Sequence, residues 1–396
     1  MKVFVNVKCA MQKVNYLIGV KCQFMRFRMI SVAASCALFL GTANRTIVQS
    51  ESAAREMPSL KATFQDDFLI GTALNAGQIQ EKDPKQTSFI AYHFNAATPE
   101  NGMKAEIIHP QWDSYDFILA DKLMEYGRKQ QLQINAHTLI WHSQLPKFVH
   151  RLQSADSVRT FFTNHINTVA GRYSGKVQSW DVVNEALNED GTLRKSVFLN
   201  KLGEDYITEA FRLAQAASPG TQLYYNDFNN EQPAKRAGCI AIIKKIKAAG
   251  VKIDGVGIQG HWHLGKIPLK DIEESIVAYA ALGLKTAITE LDIEVLERNF
   301  EGADVSRRIE STPALNPYQN GLPDSLQQQL ASDYEALFKL FLKHKDKISR
   351  VTFWGVQDGQ SWLNNWPVRN RTNYPLLFDR AYQPKPAFYK VIATKK

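Results

Sequence analysis

A chain of 396 residues, 44% hydrophobic and 22% charged, is long enough to bury a full core in one large domain. Its formal charge of +9 suggests a polyanionic partner, but six of those charges (Lys2, Lys8, Lys13, Lys21, Arg26 and Arg28) fall in residues 1–43, which hold no acid. The remainder carries no basic stripe interleaved with aromatics, so no nucleic-acid partner is expected. Cys9, Cys22 and Cys36 lie in the same leader, and Cys239 alone beyond it excludes a disulfide framework or a cysteine metal site there.

Met25-Arg-Phe-Arg28 has the positive start of a signal peptide, and Ile30 to Leu40 its apolar middle, too short for a stable membrane span. Gly41-Thr-Ala43 offers small residues for cleavage, so the expectation is export, periplasmic or extracellular, with the mature chain starting near Asn44. Met25 is then a second candidate for the initiator. Residues 44–62 read as a spacer and 63–396 as the folded body.

From residue 66 apolar runs alternate with helical patterns. Candidate strands are Phe68–Ala73, Phe94–Thr98, Leu132–His137, Val177–Val182, Gln222–Tyr225, Gly255–Gln259, Thr286–Thr289 and Arg350–Trp354. Between them, Tyr206, Ala210, Leu213, Ala214 and Ala217 keep one helix face apolar, and glycines at 220, 250 and 283 sit at helix exits. Eight strands alternating with helices predict a single α/β domain, a closed (β/α)8 TIM barrel. An open doubly wound sheet would want a phosphate-binding glycine turn after its first strand, and Gly71-Thr-Ala-Leu-Asn-Ala-Gly77 does not match one.

In such a barrel the active face lies at the C-terminal ends of the strands. Those ends carry Glu100, Asn101 and Lys104; His137, Trp141 and His142; Asn184 and Glu185; Asn226, Asp227 and Phe228; Gln259, His261, Trp262 and His263; Glu290 and Asp292; and Trp354, Gln357 and Trp362. There is no serine elbow and no nucleophilic cysteine. Tryptophan faces stack on sugar rings while amides and carboxylates bind hydroxyls, which suits a carbohydrate. A lone Asn-Glu after a strand is more often a turn, but Trp180-Asp-Val-Val-Asn-Glu185 is matched by Thr286-Ala-Ile-Thr-Glu290, a second apolar strand running into a glutamate. His137/His142 and His261/His263 could suggest a metal; a carboxylate pair needs none, so no metal and no other cofactor is expected. Trp112 and Trp180 read as core.

The segments Phe94-Asn-Ala-Ala-Thr-Pro-Glu-Asn-Gly-Met-Lys104, His137-Thr-Leu-Ile-Trp-His-Ser-Gln144, Trp180-Asp-Val-Val-Asn-Glu185, Gln259-Gly-His261 and Ile288-Thr-Glu-Leu-Asp292 resemble, in order, the motifs of family-10 glycoside hydrolases, mostly endo-β-1,4-xylanases. The resemblance implies a retaining barrel enzyme with Glu185 as acid/base and Glu290 as nucleophile. It further implies that Asn184 binds the 2-hydroxyl at the cleavage subsite and that His261 hydrogen-bonds Glu290 with Asp292 behind it. Glu100, Asn101, Lys104, His137, Gln259, Trp354 and Trp362 would line the subsites on the non-reducing side. Gly102 and Ala105 stand where many members have glutamate and tryptophan, Phe228 where tyrosine is frequent and Leu363 where arginine is frequent, which bears on distal subsite shape.

Retaining hydrolysis needs one carboxyl protonated and one ionised, roughly 5–5.5 Å apart. Two carboxylates that close push one pKa upward, and the apolar neighbours Val182, Val183 and Ala186 make Glu185 the expected acid. The implied substrate is xylan or xylo-oligosaccharides, acted on by a monomer; the alternatives are cellobiosidase or mixed-linkage glucanase activity, or a carbohydrate-binding barrel without catalysis. Residues 296–322 form a long loop on the catalytic face, where a lid and an extra substrate wall both fit, and Arg307 and Arg308 are candidates to meet glucuronic acid branches.

Overall fold

A computed structural model describes residues 57–297 and 308–396; the leader, most of the spacer and Arg307 lie outside them. Among the described residues nine strands run in chain order: β1 (Leu69–Leu74), β2 (Ala96–Pro99), β3 (Gln133–Trp141), β4 (Ser179–Asn184), β5 (Gln222–Asp227), β6 (Gly255–Ile258), β7 (His261–His263), β8 (Lys285–Glu294) and β9 (Ile348–Phe353). Neighbours pair in parallel around the order β6-β5-β4-β3-β2-β1-β9-β8, and β6 also pairs with β8 from Gly255↔Lys285 to Ile258↔Ile288. That last ladder closes the barrel, so eight strands form it. β7 carries on from β6 beyond Gly260 and pairs with β8 higher up, at His261↔Asp292.

Every residue of β4, and all of β8 except Lys285, is buried. This follows from parallel strands covered on one face by helices and on the other by the barrel's own interior. The covering helices include Ile118–Gln130, Ala155–Arg172, Tyr206–Ala217, Pro233–Ala248, Leu269–Ala281 and Asp324–Lys343. The ring is fastened beside its first strand: Asp67, just before β1, meets Lys345 at 2.8 Å and Lys395 at 2.6 Å. Leu60–Thr63 is a short helix with Leu60 fully buried, so the last residues of the expected spacer belong to the folded body. Among the described residues no helix is long and apolar enough to cross a membrane.

β4 and β5 each run two residues past their apolar runs, and two other strands run further. β3 continues past His137 to Trp141, and β8 past Thr289 to Glu294. Polar residues lie inside these strands because partners are waiting for them: His137 Nδ1 is 3.0 Å from Asp181 Oδ2 on β4, which also accepts from Asn135 at 3.1 Å. A buried polar group with a partner costs little, so the polar face of a strand need not mark its end. Trp180 is core, whereas Trp112 is 39% exposed and only leans on Phe148.

His93 is an exception to this pairing. It is fully buried among the rings of Phe89, Tyr92, Phe94, Phe378 and Phe388, and neither ring nitrogen has a hydrogen-bond partner among the described residues. Burial, aided by the charge of Lys61, pulls its pKa down to about 4. Between pH 6.5 and 4 the unfolded chain therefore binds a proton that the folded one refuses, and stability falls with pH by roughly 3 kcal/mol from this residue. His93→Leu should be at least as stable as the parent at pH 8 and should lose part of that acid sensitivity. Urea midpoints at pH 8 and pH 4.5 measure both.

Candidate active site

The strand ends open into a cleft of about 2170 Å³, lined by the residues expected to act in catalysis and substrate binding except Asp292, which stands behind His261; of the other strand-end residues Phe228 and His263 line it, and His142, Asn226, Asp227, Trp262 and Gln357 do not. Glu290 comes from inside β8, and Glu185 directly follows β4 with a left-handed backbone, φ +56°.

One amide ties the two carboxylates together. Asn226, at the end of β5, donates from Nδ2 to Glu290 Oε1 at 3.0 Å and to Asn184 Oδ1 at 2.8 Å, while Thr289 Oγ1 donates to its oxygen at 2.7 Å. Asn184 Nδ2 then reaches Glu185 Oε1 at 3.2 Å, shared with Gln259 Nε2 at 3.1 Å. Trp141 Nε1 donates to the other oxygen, Oε2, at 2.9 Å. On the far side, Glu290 Oε2 lies 3.2 Å from His261 Nε2, His261 Nδ1 lies 2.9 Å from Asp292 Oδ1, and Asp292 Oδ2 accepts from Trp362 Nε1 at 2.8 Å. The chain Trp141–Glu185–Asn184–Asn226–Glu290–His261–Asp292–Trp362 thus crosses the barrel mouth without a gap.

Burial alone would pull His261 down, but the charge and hydrogen bond of Asp292, and then those of Glu290, push it up to about 10. It is an imidazolium at neutral pH and donates from both nitrogens. For Glu185, burial pushes the carboxyl up, yet the electrostatic influence of the His142 imidazole, the hydrogen bonds from Gln259 and Trp141 and the charge of Arg194 together hold it below the ordinary range. This reverses the expectation drawn from its apolar neighbours: His142, the amide and indole donors and Arg194 outweigh the valines. His142 itself is held below the usual imidazole range, by burial first and then by Arg194 and Lys235.

Glu100, Asn101 and Lys104 form one end of the cleft. Lys104 is nearly buried, donates to Asn101 Oδ1 at 3.0 Å and to Gln144 Oε1 at 2.8 Å, and lies 4.9 Å from the Trp141 ring centre. Burial pulls its pKa down, against the carboxylates of Glu290, Glu100, Glu185 and Glu106. Glu100 is raised by burial, which Lys104 and Asn101 only partly offset. Trp354 stands edge-on to His137 at 5.7 Å and to His261 at 6.3 Å, and Trp362 stacks on Trp366 at 4.6 Å. Of the histidine spacings that suggested a metal, His137, His261 and His263 each face a carboxylate instead.

The structure gathers Glu100, Asn101, Lys104, His137, Trp141, Asn184, Glu185, Gln259, His261, Glu290, Trp354 and Trp362 around one cleft, whereas Trp262 donates to Glu231 at 2.9 Å and Gln357 caps the turn Asp358–Gln360. The sequence reading left Asn226 at a strand end without a role, and missed Gln144 and Asp181 as partners of Lys104 and His137; pairings across strands leave no signal along one chain. Of the loop 296–322, the part that begins at Arg308 is pinned beside the cleft: Ile309 exchanges backbone hydrogen bonds with Pro367 and Arg369 at 2.8 Å, and Arg308 and Tyr318 line the wall.

Comparison with known protein families matches residues 59–394 to glycosyl hydrolase family 10. The endo-1,4-beta-xylanase A of Xylanibacter ruminicola is 42% identical over 346 residues, 86% of this chain and 94% of that one. The beta-1,4-xylanase of Dictyoglomus thermophilum is 38% identical across 90% and 96% of the two chains. Among solved structures, a GH10 endoxylanase from a sugarcane soil metagenome superposes with a TM-score of 0.81 at 43% identity, covering 85% of this chain and 99% of the other. Fold, cleft and sequence agree: this chain belongs to glycosyl hydrolase family 10.

Proposed function

We propose that the protein is an exported endo-β-1,4-xylanase that cleaves internal bonds of xylan with retention, Glu185 serving as acid/base and Glu290 as nucleophile. The observation that carries this reading is the hydrogen-bonded path from Glu185 through Asn184 and Asn226 to Glu290 across one open cleft, in a chain whose relatives are named as xylanases.

In the first step Glu290 attacks the anomeric carbon while Glu185 gives its proton to the departing oxygen, and a glycosyl–enzyme ester forms. In the second, water attacks that carbon, its proton passes to Glu185, and Glu290 leaves as a carboxylate. Asn226 and His261 occupy both oxygens of Glu290 and so fix its attack angle. Glu185 must gain a proton although its donors favour the charged form. Sugar in the cleft excludes water from it and so strengthens burial, the influence that already pushes its pKa upward. Asn184 lies between the two carboxylates, where the 2-hydroxyl of the bound sugar would meet it, and Glu100, Asn101, Lys104 and Gln259 hold the hydroxyls of the glycone. The open cleft suits an internal stretch of polymer, and export through the leader ending near Ala43 would bring enzyme and polymer together.

Glu290→Ala should lose turnover on xylan by a factor of at least about 10⁴ and recover it with azide, yielding the inverted glycosyl azide. An active Glu290→Ala enzyme would refute the assignment. Trp141→Phe removes a donor to the charged form of Glu185, so the alkaline limb of the kcat/KM profile should move to higher pH; a limb that stays put, or moves down, separates that limb from Glu185. Mass analysis of the exported protein should place its first residue close to Asn44.

A further inference from the structure

The turn that presents Glu185 is held on its carbonyl side by a single residue, Arg194. With φ at +56° its backbone lies in a region that a side-chain-bearing residue occupies only when its surroundings enforce it. Three consecutive carbonyls of that turn take their donors from Arg194: its Nε reaches Glu185 O at 3.1 Å, its backbone N–H reaches Ala186 O at 2.7 Å, and its Nη2 reaches Leu187 O at 2.9 Å. The N–H groups of the same turn go to β5 instead, Glu185 to Asn226 O at 2.9 Å and Ala186 to the Tyr225 hydroxyl at 3.2 Å.

The guanidinium has a second contact, 5.7 Å from the ring centre of Phe228, which lines the cleft on the Glu185 side. The buried ammonium of Lys235 lies 3.5 Å from that ring, held in turn by Asp227 at 3.0 Å. The hairpin that carries Arg194, closed by the bridge Leu187↔Leu193, is itself seated on the helix Pro233–Ala248. A Cβ added at Gly191 would come within 2.3 Å of Ala234 O, and one at Gly238 within 2.2 Å of Gly191 O, so the two backbones meet where only glycine fits.

We infer that Arg194 is a positioning residue for proton donation, locking the Glu185 turn and the Phe228 ring into one unit so that the carboxyl stays aimed at the leaving oxygen of the bound polysaccharide. The inference rests on the reading of Glu185 as the acid. Arg194 touches neither the reacting carbon nor the leaving oxygen; it acts through the backbone of the residue that does. A carboxyl displaced by an ångström or so protonates poorly, and that matters only where the leaving group needs a proton. An alkoxide leaving from xylan needs one, whereas a dinitrophenolate leaves as a stable anion without it.

Arg194 also contributes charge. Glu185 is faced by His142 beyond β3, Lys104 beyond β2, Asp227 on β5 and Arg194, together with the neutral donors Trp141 and Gln259, and the positive charge of Arg194 is among the influences that hold its carboxyl low. Position and charge can be separated by two substitutions, Arg194→Lys, which keeps the charge and loses the forked donors, and Arg194→Met, which loses both.

The test compares kcat/KM, which reports formation of the glycosyl–enzyme, on xylan and on 2,4-dinitrophenyl β-xylobioside, for Arg194→Lys, Arg194→Met and Glu185→Ala. Both arginine variants should lose about 100-fold on xylan and less than about threefold on the aryl glycoside. The alkaline limb on xylan should move to higher pH in Arg194→Met alone. Equal losses on the two substrates, or none on either, in variants that melt like the parent would overturn the inference. If Arg194→Met does not fold, the substrate ratio for Arg194→Lys decides. Glu185→Ala is the control: failure of that variant to spare the aryl glycoside would count against the acid assignment itself, whereas success there combined with unselective arginine variants would count against Arg194 only.

Discussion

The site depends on the amide of Asn226, whose nitrogen serves an oxygen of Glu290 and the side chain of Asn184 together. It is fully buried, and its own oxygen is occupied by Thr289, so it has one orientation that satisfies every neighbour. Buried polar networks of this kind are stable only when complete, since a half-satisfied member in a low-dielectric interior costs more than the contact gains. Completeness is what places one carboxylate at the end of β4 and another in β8, three strands round the barrel, in a fixed mutual geometry before any sugar arrives. Preorganisation of this sort is how electrostatic catalysis avoids reorganising its surroundings during the reaction.

Around this network the barrel supplies rigidity and the loops supply shape. Glu290, Asp292 and His137 sit inside hydrogen-bonded strands, whose ladders fix their directions. Glu185 lies one residue beyond a strand and is held by backbone contacts to β5 and by Arg194. Lys104, Gln144, Arg308 and Tyr318 come from connecting segments and form the walls. Charge is unevenly distributed across the mouth. His261 keeps a full positive charge between two acids, whereas Lys104 and His142 are pulled toward neutrality by burial.

Much of this was legible in the chain. Alternation of apolar strands with amphipathic helices specified a closed barrel because parallel strands need long crossovers and a covering layer. The polar residues at strand ends named the cleft. Strand length was less legible: β3 and β8 run four and five residues beyond their apolar runs, because His137, Glu290 and Asp292 find partners on neighbouring strands that the linear pattern does not display. The same blindness gave Asn226 no role and placed Trp112 in the core. The direction of the Glu185 shift is hidden for a related reason, since its apolar neighbours are visible along the chain and the approach of His142, Gln259 and Trp141 is not.

Trp141 and Trp362 each line the cleft with the indole while its N–H edge holds a carboxylate, Glu185 in one case and Asp292 in the other. A side chain with both duties cannot drift: altering the wall at either position also alters the charge balance of the reacting groups. Phe228 has no polar side-chain atom, but its ring lies against the Arg194 guanidinium and the Lys235 ammonium, so reshaping the surface it offers disturbs the groups beside Glu185 as well. At all three positions, then, the shape of the cleft and the surroundings of the reacting acids change together.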